Sequence, residues 1–531
     1  MKFRRFISFL VLAATLMGLL AGCGANKAPE GPIINEDGTI SMRIMAPSWD
    51  VTIPRGEQWL WQNYEKKTNI RVIWEEISRV AMGEKKSLIM ATPEELPDAF
   101  YQYEAFSPEE VALYGSQGVF ISLDDKLDKL PNLKKLLDEN PEIRTAITAY
   151  DGHIYAFPYI TTNRAELTCR YYINKWYLDE LGMEVPETLD EFEAYMRGVK
   201  NMTSMDGSPI YPFYDSPHTW QFTEMQLCGS YGLANNGYQQ FQMMVYNPGD
   251  DQLKFMYTDP KMKELWQRVA GWYKEGLIHP GTFVVDYDYA KWVADGMAGC
   301  VGGFTWSSPM FLYSGAEKDY VGINSLEGPY GRVTSWADTP CRSTVAGMIT
   351  NRCADVDSML AWFDGWYSEE GQIFGYAGEE GVTYNVVDGV YSYTDDITSY
   401  EGGTQLGAFQ KGLLTYGGAF PFNEPDVDTK MQLFNTTFEN FYGCTKEDID
   451  AYYPEEVWPA FVATPEEIEI LNTCYNDIYT YVNESRIKFL TGEWNFEEDW
   501  DAYVDMLNSI HVDKYVALKQ DQFNRYRESL A

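Results

Sequence analysis

Short strands alternate with helices along the first hundred residues, and this alternation limits the folds that the chain can adopt. Apolar runs typical of strands cover 40–45, 70–75 and 96–101, and segments with helical spacing cover 57–68 and 85–91. Such an order favours βαβ units and a parallel-rich sheet with flanking helices. We therefore predict an α/β fold, in which ligands bind beyond the carboxyl ends of the strands.

The later part of the chain continues with both kinds of element. A chain of 531 residues predicts two or three domains. Thr188 and Glu191 have the spacing of a capping box at the start of a helix. The other predicted elements are strands at 153–158, 167–173, 299–304 and 320–323, and helices at 141–149, 175–181, 262–275, 356–370, 465–485, 495–507 and 513–529.

The charge balance excludes several classes of partner. Lys and Arg number 41 against 79 Asp and Glu, which gives a formal net charge of −38. Nucleic-acid binding requires clustered cations, so no nucleic-acid partner is expected, and docking on anionic lipid by a basic patch is disfavoured. The 16 Trp, 39 Tyr and 27 Phe exceed what cores usually require, and they point to a site lined by rings.

The N-terminus predicts export and anchoring. Lys2, Arg4 and Arg5 precede the apolar stretch 6–20, as in a secretory signal peptide. Residues 20–23 (LAGC) resemble the lipobox of bacterial lipoproteins, which implies a signal peptide at 1–22 and a lipid of the palmitate type on Cys23. Residues 23–39 would then be a linker on the outer face of the cytoplasmic membrane. The alternative is an ordinary signal peptide with a chance cysteine.

Motifs for metal or catalytic chemistry are absent from the sequence. The four His are far apart, and the seven cysteines after Cys23 are an odd number without a CxxC pair. GxSxG, P-loop and GxGxxG motifs do not occur. Among 79 acidic residues some pair always has the spacing of a glycosidase, so carboxylate pairs carry little information. We expect no metal, no cofactor and no enzyme activity.

Several segments occur in the order found in one protein family. They are 96–98 (LPD), 151–158 (DGHIYAFP), 172–182 (YINKWYLDELG), 185–192 (VPETLDEF), 367–371 (YSEEG) and 378–384 (GEEGVTY). Together with the lipobox they resemble the extracellular solute-binding proteins of bacterial ABC importers. The similarity is closer to the large sugar- and oligosaccharide-binding lipoproteins of Gram-positive bacteria.

The resemblance implies a two-lobed periplasmic-binding-protein fold of a type II-like kind, with a ligand cleft between the lobes. Lobe one would comprise 40–158 plus about 330–395, and lobe two 159–329 plus about 396–531. The protein would capture a carbohydrate, preferably an oligosaccharide, and deliver it to the transmembrane subunits of an ABC permease, acting as a monomer. Large relatives often carry a calcium loop, but here 201–209 holds a single carboxylate, Asp206, so no calcium site is expected.

Sugar recognition needs aromatic rings against the C–H faces and polar side chains for the hydroxyls. Trp306 follows a Gly-rich strand and resembles the family's stacking Trp on lobe two. The full set of candidate ligand-binding residues is Trp306, Trp49, Asp50, Tyr159, Asn163, Arg164, Trp220, Trp336, Glu379 and Tyr384. Each has a structural alternative, namely a place in the core or in an ion pair between lobes. Four others are predicted to be core: Trp266, Trp272, Trp362 and Trp366.

Two other functions remain open at this point. One is a lipid-anchored extracellular enzyme that degrades polysaccharides. The other is a ligand sensor without a transport role, or a peptide binder of similar fold.

Overall fold

The computed structural model describes most of the chain after the predicted signal peptide. The described ranges are 31–48, 53–102, 105–203, 210–214, 224–234, 243–246, 252–283, 299–304, 319–337, 339–401, 403–414, 420–458 and 461–530. The predicted signal peptide, Cys23, Trp49, Asp50, Trp220 and Trp306 lie outside these ranges.

Strands occur mainly in the first two thirds of the chain. They are β1 (Ile33–Ile34), β2 (Ile40–Ser48), β3 (Ile70–Ser78), β4 (Ala99–Tyr101), β5 (Phe157–Ile160), β6 (Cys169–Asn174), β7 (Met244–Tyr246), β8 (Leu253–Phe255), β9 (Cys300–Phe304), β10 (Tyr320–Gly322), β11 (Cys341–Ile349), β12 (Tyr384–Val387), β13 (Val390–Tyr393) and β14 (Phe422–Asn423).

Helices follow most of the strands and dominate the C-terminal part. They are α1 (Trp59–Thr68), α2 (Arg79–Met90), α3 (Pro108–Ser116), α4 (Pro131–Glu139), α5 (Pro141–Ile147), α6 (Lys175–Leu181), α7 (Leu189–Lys200), α8 (Pro260–Glu275), α9 (Val356–Asp364), α10 (Glu369–Tyr376), α11 (Asp395–Thr398), α12 (Thr404–Gln410), α13 (Val427–Leu433), α14 (Phe438–Tyr442), α15 (Lys446–Asp450), α16 (Pro465–Thr491), α17 (Trp500–Ser509) and α18 (Val512–Leu530). The mixture confirms the predicted α/β class.

The main sheet has seven strands in the order β1-β2-β4-β11-β5-β14, with β3 paired to β2. The β2–β3, β2–β4 and β5–β14 pairs are parallel, as the alternation of strands and helices predicts. The β1–β2, β4–β11 and β11–β5 pairs are antiparallel. Since β11 runs against both β4 and β5, the strands β2, β3, β4, β5 and β14 all point the same way.

A smaller sheet has the order β10-β6-β9, and both of its pairings are antiparallel. Two hairpins, β7–β8 and β12–β13, complete the described strands. Strand β1 belongs to the segment expected to be linker. It forms because a turn at Gly38, which has a φ of 85°, folds Ile33 and Ile34 back onto β2.

Buried side chains form two large cores. The first core packs on the main sheet and draws its residues from 42–160 and 341–433. The second core draws its residues from 171–336 and 458–526, and includes α7, α8 and α16. A smaller cluster, with Tyr172, Tyr320 and Tyr442 among its members, forms a third group of buried residues. The described chain thus passes between the two large cores three times, after β5, before β11 and after α13.

Local signals that are visible in the sequence determine several helix ends. Thr188 and Glu191 form the predicted capping box at the start of α7. Thr464 and Glu467 form another at α16, which is 27 residues long. The predicted helix 356–370 is instead two helices, because Ser368 accepts a hydrogen bond from the backbone of Gly371 and starts α10 anew.

The predicted strand at 153–158 begins later, at Phe157. Asp124 explains the delay, because its carboxylate accepts a hydrogen bond from the backbone nitrogen of Ile154 at 3.1 Å and holds that segment out of the sheet.

Many of the aromatic residues are core residues. The four tryptophans predicted as core are all buried: Trp266, Trp272, Trp362 and Trp366. In the first core, Trp61 packs against Trp74, Tyr101, Trp362 and Trp366 with ring centroids 4.8–6.0 Å apart. A large part of the high aromatic content therefore stabilises the fold.

Within the described ranges, no helix is long and apolar enough to cross a membrane. No group of three or more His, Cys, Asp or Glu in this part of the chain has the geometry of a metal site. Among the cysteines whose side chains the structure describes, five are free thiols: Cys228, Cys341, Cys353, Cys444 and Cys474.

Candidate functional site

The strands β2, β3, β4, β5 and β14 end at the same edge of the main sheet, which we call the carboxyl edge. Parallel strands present the loops that bind ligands at this end. Three groups of polar side chains lie along it.

The first group joins Arg55, Glu76 and Gln102. Arg55 precedes α1, Glu76 lies near the end of β3 and Gln102 directly follows β4. Nη1 of Arg55 donates to Oε1 of Glu76 at 2.8 Å, and Nη2 donates to Oε1 of Gln102 at 2.5 Å. Arg55 also lies over the ring of Trp74, so its guanidinium is held on three sides. Burial lowers the pKa of Arg55, and the carboxylate of Glu76 opposes that effect.

Gln102 has an unusual backbone and an unused donor. Its φ is 90°, in the left-handed region that residues other than glycine rarely adopt. The residue is fully buried, and its Nε2 has no hydrogen-bond partner among the described residues. The hydroxyl of the neighbouring Tyr101 has none within these ranges either, and burial raises its pKa, so it remains protonated. Strain and unused donors at a strand end are typical of a binding site.

The second group joins Tyr159 of β5, Glu424 after β14 and Lys430 of α13. The hydroxyl of Tyr159 donates to Oε1 of Glu424, and Nζ of Lys430 donates to Oε2. Both charged side chains are almost completely buried. Burial raises the pKa of Glu424, while the ammonium of Lys430 lowers it. The group therefore fixes the two strands at places where the chain leaves the first core.

The third group surrounds a cavity of about 300 Å³ next to those strand ends. Nη1 of Arg164 contacts Oδ1 of Asp450 at 2.9 Å, and Nδ2 of Asn163 donates to the hydroxyl of Tyr442 at 3.1 Å. Apolar side chains provide the remaining surface. The lining residues are Thr162, Asn163, Arg164, Ala165, Pro425, Asp426, Val427, Phe438, Lys446, Ile449 and Asp450.

Six of the ten predicted ligand-binding residues lie in the described ranges. Asn163 and Arg164 line this cavity, and Tyr159 lies in the neighbouring strand with its side chain buried. Trp336 is 1 % exposed and packs in the second core, so it presents no ring face to solvent in this structure. Its role in binding stays a prediction.

The remaining two described candidates lie on the first core. Glu379 is exposed in the turn that follows α10. Tyr384 is buried in β12 and stacks on Tyr391 with ring centroids 5.6 Å apart. The structure does not bring Glu379 and Tyr384 together with Arg164. The other four candidates lie outside the described residues: Trp49, Asp50, Trp220 and Trp306.

Sequence reasoning missed the group of Arg55, Glu76 and Gln102. The sequence predicts that ligands bind beyond the end of β4. No pattern marks Gln102, because its left-handed backbone depends on contacts with Arg55 and with Ala346. No short motif links Glu424 with Tyr159 either, because their contact depends on the parallel pairing of β14 with β5.

Residues 59–368 match the family of bacterial extracellular solute-binding proteins. The chain belongs to this family. The match extends from α1 through the 3-10 turn after α9, so it includes most of both cores.

Two similar proteins align with this solute-binding protein over nearly its whole length. The fructooligosaccharide ABC transporter substrate-binding protein FusA of Streptococcus pneumoniae is 23% identical over 565 residues and covers 99% of both chains. Lipoprotein LipO of Bacillus subtilis is 24% identical and covers 95% of this chain and 96% of its own.

Solved structures show the same fold. FusA in complex with kestose has a TM-score of 0.72 at 21% identity, and covers 92% of this chain and 100% of its own. An extracellular solute-binding protein of Bifidobacterium longum subsp. infantis has a TM-score of 0.74 at 21% identity, and covers 93% and 100%. The two-lobed fold expected from the sequence is thereby confirmed.

Proposed function

We propose that this solute-binding protein captures a carbohydrate, preferably an oligosaccharide, outside the membrane and delivers it to an ABC permease without changing it. The observation that carries the proposal is the similarity to FusA over 99% of both chains, since FusA is named for fructooligosaccharides. The FusA structure with kestose adds a sugar complex on the same fold.

The lobes of the proposed receptor follow the two cores. Lobe one would hold residues up to β5 and from β11 to α13, and lobe two would hold the rest of the mature chain. The third crossing then falls after Leu433, later than the boundary near 395 that the sequence suggests. Ligand would bind at the carboxyl edge and shift the population from open to closed lobes, because contacts to both lobes form only on closure.

Each part of the site has a proposed role. Gln102 and Tyr101 are fully buried in this structure, so their unused donors would reach sugar hydroxyls only after the covering segments move on ligand binding, with Arg55 holding Gln102 in place. Asn163 and Arg164 act where the chain crosses to lobe two. Trp306, Trp49 and Trp220 would supply ring faces, and Asp50 a carboxylate, in line with their positions in the sequence. Wrong sugars would be rejected because they leave buried donors unpaired.

The anchor is also part of the proposal. Cys23 would carry the lipid and hold the receptor, as a monomer, on the outer face of the cytoplasmic membrane. The lipobox supports this, and so does the similarity to a protein named as a lipoprotein, LipO.

A binding screen tests the proposal. The mature chain without its lipid would be heated with kestose, fructo-nystose, maltotriose or a mixed tripeptide library, because a ligand of the native state raises the melting temperature. We expect at least one oligosaccharide to raise it saturably. In Trp306→Ala most of that shift should disappear, whereas Trp494→Ala, a partly buried Trp packed on Phe489, should keep it.

Two results would contradict the proposal. New reducing ends after incubation with the bound sugar would favour the enzyme alternative. A response to the peptides alone would favour the peptide-binding alternative.

A further inference from the structure

A second, smaller cavity lies at the beginning of β6. It is bounded by the residues that follow β10 and by those that lead into β11. Its volume is about 20 Å³, slightly more than the ~10–15 Å³ that one water molecule requires. The polar residues on its wall include Arg170, Gln226, Asn324, Ser325, Thr334 and Ser335.

Arg170 is buried here without a counter-ion among the described residues. The residue is 4 % exposed, and within the described ranges it forms no ion pair with a carboxylate. Its contacts are long: Nε to the carbonyl of Ala165 at 3.5 Å, Nη1 to the carbonyl of Ile323 at 3.4 Å and to Sγ of Cys444 at 4.0 Å, and the ring of Tyr442 at 5.5 Å. A guanidinium has five N–H donors, and these contacts leave both donors of Nη2 unused among the described residues. A buried unpaired charge is strongly destabilising.

The wall around Arg170 offers further donors. The hydroxyls of Ser325 and Thr334 contact each other at 3.3 Å and can rotate toward the cavity. Oε1 of Gln226 is buried and has no hydrogen-bond partner among the described residues, so its amide group can turn its N–H₂ inward.

A second cation adjoins the wall. Nε of Arg332 donates to the carbonyl of Ser325 at 2.6 Å. The carboxylate that it contacts, that of Glu187, is 3.4 Å away and 74% exposed. Two guanidinium groups, those of Arg170 and Arg332, therefore lie near the cavity, and the carboxylate of Glu187 lies mainly in solvent. This local excess of positive charge contrasts with the formal net charge of −38 of the whole chain.

We propose that this cavity binds a small monovalent anion of chloride's size, with the anion as counter-ion to Arg170. A water molecule would accept hydrogen bonds from the N–H groups but leave the charge unpaired. An anion would accept the same hydrogen bonds and also neutralise the charge. The volume of about 20 Å³ suits an ion of a water molecule's size better than sulfate or phosphate. The anion would also link the segment that follows β5 to the segment that leads into β11.

A halide titration tests this site on the mature full chain. Melting temperature would be measured while sodium chloride replaces sodium gluconate at constant ionic strength, which keeps general screening unchanged. We expect a saturable rise of the melting temperature with chloride in the wild-type chain. Arg170→Gln should lose the rise. Arg197→Gln removes an exposed cation that is paired with Glu193 and Glu275, and it should keep the rise.

Crystals grown in sodium bromide give the second readout. We expect an anomalous peak within hydrogen-bond distance of the Arg170 guanidinium in the wild-type chain. Water density at that place without bromide would overturn the proposal, and so would an equal chloride response in Arg170→Gln. If Arg170→Gln fails to fold, the bromide result on the wild-type chain decides alone.

Discussion

Arg55 and Gln102 meet at the carboxyl edge of the main sheet, where Nη2 of Arg55 donates to Oε1 of Gln102 at 2.5 Å and Nε2 of Gln102 stays unused among the described residues. A buried amide that is half satisfied and has a left-handed backbone is costly for a scaffold. This cost is explained if the N–H₂ group of the amide donates a hydrogen bond to a ligand.

Replacing Gln102 by Met should therefore weaken binding of the sugar found in the screen. A lost hydrogen bond at a buried partner costs about 1–3 kcal/mol, which is roughly a 5- to 150-fold loss of affinity. Isothermal titration calorimetry would measure it. Gln62→Met changes an exposed glutamine of α1 and should bind normally. Equal affinities of Gln102→Met and the wild-type chain would remove Gln102 from the site.

Arg164→Gln should separate binding from stability. The ion pair of Arg164 with Asp450 is more than half exposed, so its loss should change the free energy of unfolding by only ~0–1 kcal/mol. Ligand affinity should fall, because Arg164 lines the cavity at the first crossing between the cores. Arg144→Gln, which breaks an exposed pair with Asp138 at 2.9 Å, is the matched control for both measurements. A loss of affinity in both variants would indicate a general charge effect.

Glu424→Gln should destabilise the protein strongly. It leaves the ammonium of Lys430 buried without its carboxylate, a loss of about 3–5 kcal/mol in the free energy of unfolding. The double variant Glu424→Leu with Lys430→Met removes both charges and should recover much of that loss. Urea denaturation would measure each midpoint. Glu370→Gln breaks the exposed pair with Lys67 and should change the midpoint little.

Lys519 should make stability depend on pH in the alkaline range. Burial lowers its pKa from 10.5 to about 8, and nearby Glu109 and Glu467 oppose that effect. The folded chain thus releases this proton more readily than the unfolded chain. The loss of folding stability caused by burying the charged ammonium is therefore complete below pH 8 and decreases as pH rises toward 10.5. Lys519→Met should be more stable than the wild-type chain at pH 7, and the difference in melting temperature should shrink by pH 10. A difference that is constant with pH would contradict this.

Cys23→Ser should release the protein from the cell. If the cysteine carries the lipid, the variant loses its anchor and is found in the culture medium by immunoblot, while the native chain remains with the membrane. Cys444→Ser changes a cysteine within the fold and should leave the location unchanged. Retention of Cys23→Ser at the membrane would contradict lipid anchoring.

The residues that could be predicted from sequence are those whose signals are local. Thr188 and Glu191 lie three residues apart, and their capping box is as expected. Asn163 and Arg164, which line the larger cavity, directly follow a recognisable segment, 151–158, where the sequence predicts the end of lobe one. The break at Ser368 was missed, although Ser is a common N-cap, because the apolar spacing continues across it.

Local sequence signals do not predict contacts between segments that are distant in the chain. Glu424 looks like any acidic residue in a loop until β14 pairs with β5 and places it beside Tyr159. Trp336 is a second example, since a tryptophan after a predicted hinge is a reasonable ligand residue in sequence, whereas its burial in the second core depends on contacts with distant segments; its role in binding stays a prediction.

The division of buried residues into two cores has a thermodynamic consequence. Two bodies joined at three crossings need not melt as one unit, so calorimetry should give an enthalpy larger than the van't Hoff value. A sugar that bridges both bodies would couple them and bring the two enthalpies closer together. The shape of the heat-capacity curve, with and without ligand, would thus measure how firmly the ligand holds the two halves of the receptor together.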